Sequence, residues 1–150
     1  IENNAFSNCM NLKSVTISDS ITIIGNEAFK GCSNLREVKI GTKLQKIGVS
    51  AFLSCRKLQK INLPNSIIEI SKHAFSNCIS LEQILLPDNL NKIESYAFYS
   101  CEKLRNIQIP NKVETIGESA FAFCRNLDNI SLPLNLKSIE DKAFFFLYQT

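Results

Sequence analysis

The dipeptide Ala-Phe returns seven times in this chain at a constant interval of 23 residues: Ala5-Phe6, Ala28-Phe29, Ala51-Phe52, Ala74-Phe75, Ala97-Phe98, Ala120-Phe121 and Ala143-Phe144. A fixed period of that length marks an array of stacked units rather than a chain wrapped once around a globular core. Other positions keep the same step. Cys9, Cys32, Cys55, Cys78, Cys101 and Cys124 each follow a Phe by three residues, and Leu12, Leu35, Leu58, Leu81, Leu104 and Leu127 follow each Cys by three more. Leu147 stands where a seventh Cys would fall, beside the run Phe144-Phe145-Phe146, as if the array were ending or capped there.

After the Leu comes an apolar, any, apolar triplet: Val15 and Ile17, Val38 and Ile40, Ile61 and Leu63, Ile84 and Leu86, Ile107 and Ile109, Ile130 and Leu132. This alternation predicts a short strand with one face inward. One such strand per unit cannot bury its own face. Stacked in register, the units form a parallel sheet along one side of a coil, and each is stable only through its neighbours. Pro64, Pro87, Pro110 and Pro133 follow the triplet in four units and end the strand, because proline cannot donate to a ladder. A second aliphatic pair, such as Leu44 and Ile47 or Val113 and Ile116, crosses the coil and is often followed by Gly25, Gly48 or Gly117. Ser71, Glu94 and Glu140 replace that Gly in a turn where they are expected to matter little. The stretch from Asn26 to Cys32 reads as a turn or short helix that directs Phe into the interior.

The string from Ala97 to Gly117, A-F-x-x-C-x-x-L-x-x-I-x-I-P-x-x-V-x-x-I-G, resembles the BspA-like, or treponemal-type, leucine-rich repeat. The likeness covers the chain in six full units and a partial one. It implies a single slightly curved leucine-rich repeat solenoid, with a parallel sheet on one face and turns or short helices on the other. It also implies a non-catalytic protein-binding module of a cell-surface or secreted protein, acting in adhesion or host interaction, with extracellular matrix or host protein as partner. An intracellular interaction scaffold or regulatory subunit is the alternative, compatible with cysteines that need no oxidation. Ile1 falls in register with Ile24 and Ile47, so we expect the chain to begin inside a repeat of a longer protein.

Once the repeat has taken its share, little remains for chemistry. All six Cys occupy one core column, so they are expected to be buried free thiols rather than disulfides or metal ligands. His73 is the sole histidine and lies in a variable column, where a solvated side chain is expected. The sequence has no phosphate-binding glycine loop, no carboxylate pair and no metal-ligand spacing, so neither catalysis nor a cofactor is expected. Net charge is +3, with bases interspersed among acids and no basic face carrying aromatics, which argues against nucleic acid. No apolar run approaches the roughly 20 residues of a membrane helix.

Binding is therefore expected on the outward residues of the sheet, by analogy with other leucine-rich repeats: Glu37, Lys39, Lys60, Asn62, Gln83, Leu85, Asn106 and Gln108, with Leu85 as the one apolar anchor. Arg36 and Gln59 belong to a flanking mixed-charge edge. A second candidate is the aromatic group Tyr96, Tyr99, Phe123, Phe145, Phe146 and Tyr148, readable as an exposed patch or as a cap. The ends of the array could also associate with one another.

Overall fold

In a computed structural model, which describes residues 1–146, the chain winds as a series of stacked coils, each one repeat long. The wall predicted from the apolar triplets holds β1 (Ser14–Ile17), β3 (Glu37–Ile40), β5 (Lys60–Asn62), β7 (Gln83–Leu85), β9 (Asn106–Gln108) and β11 (Asn129–Ser131). The strands pair parallel in a four-stranded piece, β1-β3-β5-β7, and a two-stranded piece, β9-β11, with β7 and β9 in contact at the junction. Partners lie 23 residues apart throughout, as in Val15 with Val38 and Ile61 with Ile84.

A second wall was not foreseen as a sheet. The aliphatic pairs that cross the coil form two-residue strands β2 (Ile23–Ile24), β4 (Lys46–Ile47), β6 (Glu69–Ile70), β8 (Lys92–Ile93), β10 (Thr115–Ile116) and β12 (Ser138–Ile139), which also pair in parallel. This ladder is interrupted between β4 and β6. The break falls where Ser71 and Ser66 both turn their hydroxyls onto carbonyls of the preceding coil. In neighbouring coils the equivalent amide donates to the preceding coil, Gly48 to the Ile24 carbonyl at 2.8 Å and Glu94 to the Ile70 carbonyl at 2.9 Å. At Ser71 the side-chain hydroxyl takes the Ile47 carbonyl instead, at 2.7 Å. The amide rung present at Gly48, Glu94 and Glu140 is thus absent at Ser71, and the hydroxyl stands in its place.

The third wall consists of turns; no helix occurs among the described residues, so of the two forms expected after Asn26 only the turn is present. Two residues per unit carry positive φ, the one before Ala and the one two after Phe, for example His73 (56°) and Asn77 (58°). A left-handed residue every fourth position breaks any helix and stores roughly 1 kcal/mol or more for a residue with a Cβ. The strain has a return. It turns the amides of His73, Phe75 and Asn77 toward the next coil, where they donate to the carbonyls of Ser95, Ala97 and Tyr99 at 3.2, 2.8 and 2.7 Å. The turn wall is thus itself hydrogen-bonded from coil to coil.

Between the walls the seven phenylalanines form one stack, with centroids 5.1 to 5.5 Å apart and planes within 9° of parallel. Phe29, Phe52, Phe75, Phe98 and Phe121 are fully buried, together with the interior members of the Ala, Leu and Ile columns. Each ring pair adds about 0.5 to 1.5 kcal/mol beyond the area it buries.

Candidate protein-binding face

Alternation along each strand decides which side chains leave the sheet. Val38, Ile61, Ile84 and Ile107 point into the core, so Glu37 and Lys39 (β3), Lys60 and Asn62 (β5), Gln83 and Leu85 (β7), and Asn106 and Gln108 (β9) project to solvent, all eight exposed. Register places Glu37, Lys60 and Gln83 side by side, and Asn62 next to Leu85. Asn106 and Gln108 lie in the other sheet piece, paired with Asn129 and Ser131. Leu85 is 69% exposed, far more than a core leucine. Lys39 and Glu37 approach to 3.4 Å, but both are well solvated, so the pair adds at most about 1 kcal/mol. A shallow depression of about 630 Å³ lies over β3 and β5, lined by Arg36, Glu37, Lys39, Gln59, Lys60 and Asn62. Arg36 and Gln59, which the sequence places on the flanking edge, therefore share the depression with four of the predicted residues. Among the described residues no group of three or more His, Cys, Asp or Glu is placed to hold a metal ion.

A family model described as BspA type leucine rich repeat region, in six copies, matches residues 1–104 and 45–149. The chain belongs to the BspA-type leucine-rich repeat family. Solved structures agree. A leucine-rich repeat protein of T. pallidum is 33% identical with a TM-score of 0.87, the match covering 89% of this chain and 63% of that one. One from Bacteroides ovatus is 27% identical with a TM-score of 0.68, covering 91% of this chain and 42% of its own. A leucine rich cell surface protein of Faecalibacterium prausnitzii is 31% identical with a TM-score of 0.64, covering 87% and 41%. This chain thus spans less than two thirds of each relative. No curated protein matches it. Proteins of this family are in general binding scaffolds without catalytic activity, and what they bind is generally protein.

The cysteine column of this BspA-type array is a core column with one exception. Cys32, Cys55, Cys78, Cys101 and Cys124 are buried, and each thiol donates to the Phe carbonyl of the preceding coil at 3.0 to 3.2 Å, as Cys78 does to Phe52. Cys thus serves as a weak donor as well as a small apolar group. Cys9, in the first coil of the described residues, is exposed, so the expectation that all six are buried is corrected there. Burial pushes the thiols of Cys32, Cys55 and Cys101 up, and that of Cys78 up to about 12. A thiol reagent at neutral pH should therefore modify Cys9 in the native protein and all six only after denaturation; rapid native modification of more than one would contradict this placement. Between about pH 9 and pH 12 the folded state holds protons that the unfolded chain has released. Stability is then complete below the ordinary thiol range and falls as pH rises through it, which alkaline thermal melts would read directly.

His73 departs from its expected solvation. It is half-buried and stacks on Tyr96, with centroids 4.8 Å apart and planes 14° from parallel. Burial, aided by the nearby Lys72 ammonium, pushes its imidazole below the ordinary value. The signal was present in the sequence, since Tyr96 occupies the same column one repeat later. The chain of rings continues through Tyr99 and Phe123 to Phe145 and Phe146, in edge and stacked contacts of 4.3 to 6.0 Å. Tyr96, Tyr99 and Phe123 are half-buried in this side stack, whereas Phe145 and Phe146 are exposed. Tyr148 and Leu147 lie outside the described residues.

Proposed function

We propose that this chain is a non-catalytic protein-binding module of a cell-surface protein, which contacts a host or matrix protein through the sheet face formed by Glu37, Lys39, Lys60, Asn62, Gln83, Leu85, Asn106 and Gln108. The observation that carries this reading is the exposed Leu85 on an otherwise polar, in-register parallel sheet, on a strand paired with β5 and in contact with β9. A rigid face loses little freedom on binding, so a modest set of contacts suffices. The Faecalibacterium prausnitzii relative, described as a cell surface protein, supports the location.

The test is a triple variant, Lys39→Ala, Lys60→Ala and Leu85→Ala, compared with the wild type for retention on immobilised matrix and host proteins. All three side chains are exposed, so stability should change by no more than about 0.5 kcal/mol at each site. We expect retention to fall at least about ten-fold, which corresponds to about 1.4 kcal/mol. Equal retention of both proteins removes the sheet face as the site.

A further inference from the structure

The positive charge of this protein is not spread evenly. From Lys30 to Lys60 the chain carries eight basic residues against one acid, Glu37, a net of +7, whereas the rest carries nine bases and thirteen acids, a net of −4. The excess runs within two consecutive coils, so it does not show in any one column of the repeat, which takes one residue from each coil. Those coils supply β3 and β5, and of the eight bases the depression between them presents three, Arg36, Lys39 and Lys60, against the single acid Glu37, which pairs with Lys39 at 3.4 Å. Among the described residues, Arg36 and Lys60 have no carboxylate within ion-pair distance.

Two strands further along the same outward column from Lys39, past Asn62, stands Leu85. We infer that the depression over β3 and β5, together with Leu85, binds an extended acidic protein segment that carries a large apolar residue three positions from one of its carboxylates. This rests on the sheet face being the binding surface and names its partner's chemistry. The spacing follows from geometry: two inter-strand steps of about 4.8 Å give about 9.6 Å, which an extended peptide crossing the strands covers in three residues at about 3.3 Å each. Charge complementarity selects the carboxylates and supplies orientation. Leu85 selects a protein over a sulfated polysaccharide or a single-stranded nucleic acid, since neither has an aliphatic side chain to place on it, and the eight outward residues of this face include no aromatic on which bases could stack.

The experiment uses a labelled synthetic peptide, rich in Glu and Asp with one Leu three residues from a Glu, measured by fluorescence polarisation against the whole chain. Two further peptides carry Ser for the Leu, or Gln and Asn for the acids. A sulfated oligosaccharide and a single-stranded RNA serve as alternative ligands. We expect the first peptide to bind, to weaken with added salt, and to lose about ten-fold in affinity to a Lys39→Glu, Lys60→Glu double variant. Leu85→Ser should weaken the Leu peptide by about ten-fold and leave the Ser peptide unchanged, a coupling that a mere change in net charge does not produce. Tighter binding of the oligosaccharide or RNA than of the peptide, with no response to Leu85→Ser, overturns the inference. So does a peptide affinity indifferent to the lysines. If the retention assay still depends on the sheet face when the peptide fails to bind, the acidic assignment falls alone; if that dependence is missing too, both readings fall.

Discussion

Phe75→Ala is expected to lower the unfolding free energy by about 3 to 5 kcal/mol. The ring is fully buried and lies between Phe52 at 5.4 Å and Phe98 at 5.5 Å, so the substitution removes its area from the core and cuts the stack at its centre. In a solenoid stability is a sum of unit and nearest-neighbour terms, and an interior Phe contributes to the interfaces on both sides. For a chain of this length the loss corresponds to a melting temperature lower by about 10 °C. Phe6→Ala provides the comparison. Its ring stacks on Phe29 alone and is 37% exposed, so the loss should be half or less. Equal effects at the two positions, or a Phe75→Ala melt within about 2 °C of wild type, would contradict the stack as a source of stability.

The columns that were legible in the sequence are those where one chemistry is demanded in every unit. Phe75 and Cys78 meet the same packed interior that Phe98 and Cys101 meet one coil later, so burial forces the same residue and the period shows. The positive-φ columns are demanded as strongly by the backbone, but they do not show. Glu27, Ser50, His73, Tyr96, Ser119 and Lys142 share a left-handed conformation and no side-chain chemistry, because what the fold needs there is an amide aimed at the next coil. Cys9 misled for a different reason: it shares the column but lies in the first coil of the described residues, where the thiol is exposed. The outward sheet residues were readable from alternation, since Lys39 and Asn62 flank inward-pointing residues. The depression between them was not, because Arg36 and Gln59 reach it from just before their strands and their position depends on how the coil bends into the sheet.

The glycines that close the repeat carry the second large effect. A Cβ added to Gly48 would sit 2.6 Å from the Asn26 nitrogen and 2.6 Å from the Gly25 carbonyl carbon, in backbone of the preceding coil. The same backbone is pinned: the Asn26 amide donates to Asn3 Oδ1 at 2.7 Å, and Asn26 Oδ1 accepts from the Val49 amide at 2.9 Å. Glu94 and Glu140 carry a Cβ at this repeat position and keep the amide bond to the preceding coil, at 2.9 Å to the Ile70 and Ile116 carbonyls. Their carboxylates accept from the Lys72 and Glu118 amides at 3.1 and 3.0 Å. At Gly48 the Asn26 side chain fills that place instead, so Gly48→Ala crowds Asn26 and strains its ladder. We expect a loss of about 1 to 3 kcal/mol, read by thermal or denaturant unfolding. Ser71 shows a different arrangement at the same position. The rung between β4 and β6 is given up, and the hydroxyl satisfies the Ile47 carbonyl that the amide no longer reaches. Gly48→Ser can do the same toward the Ile24 carbonyl, while Gly48→Ala has no hydroxyl to offer it. The larger side chain should thus be the milder substitution, by about 1 kcal/mol. If Gly48→Ala proves as stable as Gly48→Ser, the Ser71 hydroxyl is not what replaces the missing rung.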